Sequence, residues 1–377
     1  MKKKLAFFIL NCLLLVLSLP RRLRGRHTDF DLLTPRKILI IRLDYIGDVV
    51  MASPAFSYLR SRFPNSSISL LTNSISRELY KNDENLDKIW VYNWPWRLLR
   101  KDNGFSKAKI KELFHLIRAL RKENIDLVVD SRGDSRFVFL FGTLVGARIK
   151  IGNSRSGNNG FVDFASTYDV DKHEVERSFD VLGCFGGGQV KPQPYIPLSV
   201  EALENAKKLL EPSSGAPVAL VAPYSSKDVK SWPADYFKDV IQYLVNNKYQ
   251  VYVVGAKDDS ESAAALISSF SSSVYSLAGK TSILELAALT SISQLVVGVD
   301  TGVLHIASCF QTPIVAIFGP TRSCEYRPYS NLSTVVDNGT CQCDQLTHAK
   351  CDVPLYGYAK CMSELTPEAV IEAIKKI

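Results

Sequence analysis

From residue 36 onward, short apolar runs alternate with longer stretches of helical periodicity. The run Lys37-Ile-Leu-Ile-Ile-Arg-Leu43 lacks polar alternation, the mark of a strand buried on both faces of a parallel sheet. A helix is expected over about 49–62 and a second strand over 68–72. Residues 106–122 place Ile110, Leu113, Phe114, Ile117 and Leu120 at helical spacing, an apolar stripe to lie on the sheet. Ile125-Asp-Leu-Val-Val-Asp130 reads as the next strand, ending in the loop Ser131-Arg-Gly-Asp134. Repeated strand–helix–strand order builds a parallel sheet with helices on both faces.

The alternation pauses at Gly186-Gly-Gly188 and Lys191-Pro-Gln-Pro-Tyr-Ile-Pro197, which are rich in chain punctuation. It restarts with strands over 217–222, 250–254, 294–299 and 313–318, and helices over 234–246, 259–269 and 282–291. Thr366 as N-cap, Pro367 and Glu368 open a last helix with Val370, Ile371 and Ile374 on one stripe. At 377 residues the chain exceeds one ordinary core and suits two. The expected fold class is α/β, with two doubly wound Rossmann-like domains facing across a cleft. The boundaries are a first domain over 36–190, a linker over 191–214, a second domain over 215–361 and a C-terminal helix over 362–377.

Composition changes the picture at one end. With 46% hydrophobic and 22% charged residues, the balance is globular and excludes disorder or a fibre. The net charge of +8 suggests nucleic acid until it is located. Residues 1–27 hold Lys2, Lys3, Lys4, Arg21, Arg22, Arg24 and Arg26 and no acid, which accounts for seven of the eight charges. A nucleic-acid binder spreads basic charge over a folded face, so no nucleic-acid partner is expected. Between the two basic clusters Leu5–Leu19 is mostly apolar. As a helix it would be about 22 Å long, short of the roughly 30 Å hydrocarbon core. The segment reads as an uncleaved anchor on an anionic membrane surface, with a full span or a signal peptide as alternatives. Leu19-Pro20-Arg21-Arg22 makes a poor cleavage site.

Four places carry candidate chemistry. In Arg42-Leu-Asp-Tyr-Ile-Gly-Asp48, Gly47 permits a tight turn and Asp48 falls at a helix start. Asp48 is either a helix cap or a carboxylate that takes a proton from an acceptor hydroxyl. In Pro223-Tyr-Ser-Ser-Lys-Asp-Val-Lys-Ser-Trp-Pro233, hydroxyls such as Ser226 and the lysines Lys227 and Lys230 suit a diphosphate, or form an ordinary solvated loop. In Asp300-Thr-Gly-Val-Leu-His-Ile-Ala307 a helix opens from about Gly302, beyond Thr301, and its free N–H groups form an anion site. Asp300 orients that turn or bonds a sugar, and His305 is a site residue or a satisfied structural one. The cysteines Cys341, Cys343, Cys351 and Cys361, with Asp344 and His348 between, lack the paired spacing of common zinc sites. Structural metal, disulfide and free thiols all remain open for them.

These motifs together resemble glycosyltransferase family 9, the lipopolysaccharide heptosyltransferases. Lys37 to Asp48 through Ser53-Pro-Ala55 is similar to the family's opening, and Lys230-Ser-Trp-Pro233 to its central motif. Asp300–Ala307 with Thr312-Pro-Ile-Val-Ala-Ile-Phe-Gly-Pro-Thr321 is similar to its third, and Cys361-Met362 before Thr366-Pro-Glu368 to its tail. The resemblance implies the GT-B architecture, with the acceptor on the first domain and a nucleotide sugar on the second. It implies inverting transfer without a metal or other cofactor. Carried over by residue, Asp48 is the catalytic base, with Arg42 and Gly47 on the acceptor side. Lys230 and Ser226 take the donor phosphates, and Asp300, Thr301, Gly302 and His305 form the donor loop. The expected partners are a nucleotide sugar such as ADP-heptose, a glycolipid acceptor and the cytoplasmic face of the inner membrane. Val91-Tyr-Asn-Trp-Pro-Trp-Arg97 and the loop 152–160 match no acceptor feature of the family. An epimerase would carry GxGxxG where this chain has Leu43-Asp-Tyr-Ile-Gly-Asp48. A non-catalytic sugar-binding protein of the same fold is the other alternative.

Overall fold

Six strands, β1 (Lys37–Ile41), β2 (Ser67–Thr72), β3 (Lys88–Val91), β4 (Leu127–Asp130), β5 (Ile149–Asn153) and β6 (Phe164–Ser166), form one sheet in the order β3-β2-β1-β4-β5-β6. All neighbours run parallel. Ile38 on β1 sits opposite Ile68 on one side and Leu127 on the other, so β1 is buried on both edges and both faces. The computed structural model describes residues 30, 33–94, 107–155, 160–210, 215–270, 273–337 and 359–377. The basic and apolar segment 1–27 lies outside them. No helix among the described residues is long and apolar enough to cross a membrane.

A second sheet repeats the plan. Strands β7 (Val218–Ala222), β8 (Gln250–Val253), β9 (Val274–Ser276), β10 (Leu295–Val299), β11 (Ile314–Ile317) and β12 (Ser333–Val336) run in the order β12-β11-β10-β7-β8-β9. These are parallel throughout. The two sheets belong to separate compact units, Met1–Pro192 and Gln193–Ile377. Alternate residues of β7 enter different cores. Ala219 and Val221 meet Phe237, Val240 and Leu244 of the Ala234–Asn246 helix, while Leu220 and Ala222 meet Leu286, Leu289 and Leu304. Gly298 lets β10 approach β7, because a Cβ there would stand 2.6 Å from the Ala222 carbonyl oxygen.

Several expectations need correction. The helix expected over 49–62 is two, Ile46–Ala52 and Pro54–Arg62, because Pro54 has no N–H to continue the ladder. On the Lys107–Lys122 helix, Ile110 and Phe114 face solvent, and Leu113, Leu116, Ile117 and Leu120 face the core. Leu116 completes that stripe and Phe114 falls outside it. The stretch 191–214, expected as linker, contains the helix Val200–Leu209, started by Ser199 Oγ accepting from the Ala202 N–H at 3.2 Å. Its Ala202 and Ala206 pack in the second unit's core. Thr366 does occupy the N-cap of the Pro367–Ile374 helix, but its hydroxyl bonds the Glu368 side chain rather than a backbone N–H. That helix packs on Ala234–Asn246.

Gly298→Ala is expected to destabilise the second unit by about 1–3 kcal/mol, the usual penalty of overpacking. Equilibrium denaturation reads it as a lowered midpoint, and an unchanged midpoint would show that β7 and β10 separate without cost.

Candidate active site

In each sheet the strand order reverses beside one central pair, β1/β4 in the first unit and β7/β10 in the second. The loops leaving such a pair diverge, which is where open α/β sheets bind ligands. The residues expected to take acceptor and donor all follow β1, β7 or β10.

After β1 the chain runs through Arg42 and Asp44 into the helix Ile46–Ala52. Gly47 is buried within that helix and is not among the residues with positive φ, so it does not form the tight turn expected of it. Asp48 is the third residue of the helix, whose N-cap position belongs to Tyr45. Its carboxylate is one-fifth exposed and stands 3.7 Å from Arg42 Nη2. Asp48 is therefore not the N-cap but an acid of the first turn, beside an arginine and open on one side.

Arg42 is itself buried and crowded by acids. Nη2 lies 2.7 Å from Glu174 Oε1, Nε 3.0 Å from Asp44 Oδ2, and Nη1 donates to Ser131 Oγ at 3.3 Å. Glu174 uses its other oxygen on Arg177, 3.0 Å from Nε and 2.6 Å from Nη2. Asp44 also pairs with Arg132, on the loop after β4. Burial favours the neutral acid at Glu174, yet Arg42 and Arg177 hold its carboxyl below the usual range. Burial likewise works against the Arg42 charge, but Glu174, Asp48 and Asp130 keep its pKa above the ordinary value.

Asp130, at the end of β4, is different. Burial and the neighbouring Asp134 push its carboxyl up to about 7, against the Arg132 amide and Arg42 that hold it down. Asp134 turns away to Arg136, 2.8 Å from Nε. Gly133 between them is left-handed, at φ +77°, and a Cβ there would collide with the Asn153 side chain.

In the second unit the loop after β7 ends in a turn, Asp228–Lys230, and the loop after β10 begins with Asp300. Lys230 Nζ and Asp300 Oδ2 form a short ion pair, and His305 Nε2 lies 4.0 Å from Asp300 Oδ1. Burial alone would raise the Asp300 pKa, but Lys230, His305 and the Thr321 hydroxyl bring it below the carboxylate range. Thr301 is the N-cap of the helix Gly302–Ala307, on which His305 is buried. Ser226 is exposed on the Lys230 loop and Ser225 Oγ donates to the Asp300 carbonyl at 3.5 Å. Trp232 ties that loop down, its Nε1–H donating to the Leu365 carbonyl at 2.9 Å. Lys230, Asp300, Thr301, Gly302 and His305 thus converge, while Ser226 stays at the rim. Of the clustered cysteines, Cys361 is buried, and Cys341, Cys343 and Cys351 lie outside the described residues. Among the described residues no three His, Cys, Asp or Glu side chains group to hold a metal.

The sequence reading missed Glu174 and Arg177. Their signal was the pair at i, i+3 in His173-Glu-Val-Glu-Arg177, on a six-residue helix too short to show periodicity.

Two tandem parallel sheets of this order, each with its polar loops at the reversal, are the GT-B architecture. The sequence profile of glycosyltransferase family 9 (heptosyltransferase) matches residues 113–356, and the chain belongs to that family. Lipopolysaccharide heptosyltransferase 3 of Escherichia coli is 25% identical over 295 residues, 76% of this chain and 84% of its own. Lipooligosaccharide heptosyltransferase 2 of Campylobacter jejuni is 25% identical over 354 residues, 90% of this chain and 99% of its own. The solved E. coli ADP-heptose lipopolysaccharide heptosyltransferase II superimposes with a TM-score of 0.71 at 20% identity, over 90% of this chain and 98% of that one.

Because the folded Asp130 carboxyl titrates higher than an unfolded one, the native state binds the extra proton between about pH 4 and about 7. Stability of the first unit is expected to fall as pH rises through that window. Asp130→Asn should flatten this slope in denaturation curves taken at pH 4.5 and 7.5; a slope equal to wild type would place the titrating group elsewhere.

Proposed function

We propose that the chain transfers heptose, with inversion and without a metal, from ADP-heptose to a lipopolysaccharide-type glycolipid. The first unit takes the acceptor and the second takes the donor. The observation that carries this reading is Asp48, a partly open carboxylate at the β1/β4 reversal, anchored by buried Arg42. Asp48 removes the acceptor hydroxyl proton as that oxygen attacks the anomeric carbon from the face opposite the diphosphate. The bond from the anomeric carbon to the diphosphate oxygen breaks, and its electron pair leaves with the nucleotide. Lys230, with the amides at Thr301 and Gly302, stabilises the departing charge, and a lysine there does what a metal does elsewhere. Asp300 and His305 hold Lys230 and the turn before donor arrives, with Ser226 at the phosphate rim. Gly47 and Arg42 complete the acceptor side. The chain's relatives include lipopolysaccharide and lipooligosaccharide heptosyltransferases, among them the E. coli ADP-heptose lipopolysaccharide heptosyltransferase II. Residues 1–27, with their basic flanks, hold the enzyme at the cytoplasmic face of the inner membrane.

Asp48→Asn is expected to keep its melting temperature and donor affinity while turnover with ADP-heptose falls at least about a hundredfold, the usual value of a positioned base. Normal turnover would send the search for the base elsewhere. Lys230→Ala should weaken ADP-heptose binding in calorimetry, and chelator should leave turnover unchanged. Activity lost to chelator and restored by magnesium or manganese would overturn the metal-free reading. Deleting residues 1–27 should move the chain from the membrane to the soluble fraction; a full-length chain already soluble at low salt would remove the anchor.

A further inference from the structure

A general base beside an arginine faces a contradiction. The cation orients the carboxylate, but it also stabilises the charged form and weakens it as a proton acceptor. In this chain the Arg42 guanidinium stands 3.7 Å from Asp48, close enough for both effects. What surrounds Arg42 decides which one prevails. Glu174 takes the same Nη2 nitrogen at 2.7 Å, a full ångström closer than Asp48, and Asp44 meets Nε at 3.0 Å. Glu174 cannot drift, since Arg177 grips its second oxygen through two nitrogens and is fixed in turn by the Asp169 carbonyl at 3.0 Å. Arg42, Glu174 and Arg177 are all almost wholly buried, so these contacts act in a weakly screened environment.

We propose that Glu174 is a positioning residue for the transfer reaction: it pins Arg42 where it orients Asp48 and absorbs the charge that would otherwise quench the base. This rests on the reading of Asp48 as base. The cluster is balanced, with guanidinium groups on Arg42, Arg132 and Arg177 facing carboxylates on Asp44, Asp48 and Glu174. Asp130, behind Arg42, adds little charge of its own below neutrality.

The elements packed on the Asp48 helix are the Glu174–Phe179, Pro54–Arg62 and Ser74–Tyr80 helices. Their other charged groups have partners of their own or lie apart from the cluster. Arg77 pairs with Glu78 and Arg60 with Asp87, and Lys172 with Asp180 at the flanks of Glu174–Phe179. Arg62 lies over the Phe63 ring, and Glu176 is the remaining charge on the Glu174 helix. Neutralising Glu174 therefore leaves one uncompensated cation, and Asp48 is the open carboxylate nearest to receive it.

The experiment is a profile of kcat/KM against pH with ADP-heptose and a truncated lipopolysaccharide acceptor, taken alongside melting temperatures. Glu174→Gln is expected to move the acidic limb down by roughly one pH unit and to lower turnover at neutral pH about three- to tenfold. Glu174→Asp, which keeps the charge, should return the limb to its wild-type place. Arg42→Gln, which removes the cation, should move the limb upward. A Glu174→Gln enzyme that melts lower with its limb unmoved would overturn the proposal, leaving Glu174 a structural residue. Should Glu174→Gln fail to fold, Arg42→Gln decides: an upward shift supports the proposal and an unmoved limb overturns it. Failure of both to fold at 10 °C would also count against it. Asp48→Asn keeps the two ideas apart. If that variant retains turnover, the base reading itself fails; if it is dead while the Glu174→Gln limb stays put, only the present inference fails.

Discussion

All the strand pairs in both sheets are parallel, so each strand must be left by a crossover that climbs over one face. Helices then cover both faces, and the backbone and side chains of the strands are committed to burial. Polar chemistry has room only at the strand ends, and there only where successive crossovers part company. Both sheets reverse at their central pair, β1/β4 and β7/β10, and both collect their charged side chains at that reversal. Gly298 shows how closely the geometry is drawn, since the β7–β10 pair that sets one reversal admits no side chain at that point.

The two reversals use charge in different ways. In the second unit one lysine meets one buried aspartate beside a histidine, a small arrangement in which an anion competing for the lysine has the Lys230–Asp300 ion pair to displace. In the first unit the arginines and carboxylates are interlocked, and nearly every member has two partners. Such a network has little freedom to follow a ligand. It suits a group whose position matters to within a fraction of an ångström, which is what proton abstraction demands.

Most of the fold was readable from the chain because its parallel strands are unbroken apolar runs, as in Lys37–Ile41, Val218–Ala222 and Leu295–Val299. The site motifs were readable for the same reason, since each follows such a run. What stayed hidden had no periodic signal. The helices Ser74–Tyr80 and Glu174–Phe179 are seven and six residues long, too short for an apolar stripe to repeat. Val200–Leu209 was concealed by the prolines before it, although Ser199 is an ordinary start signal. The assignment of Phe114 to the core failed because apolar spacing alone admits two neighbouring stripes, and only the sheet beneath selects between them. Gly47 was misread because a glycine before a helix suggests a turn, whereas here the helix has already begun.

The interlocked cluster around Arg42 also constrains how this sequence drifts over evolutionary time. Exchanging a buried member alone is costly, because it strands an opposite charge away from water, at about 3–5 kcal/mol for a buried pair. Replacement must therefore proceed by compensating steps: Glu174 with Arg177, or Asp44 with Arg132. Each intermediate gives up a large part of the roughly 5–15 kcal/mol by which most domains stay folded. The chain thus holds a small island of residues whose substitutions are energetically coupled to one another.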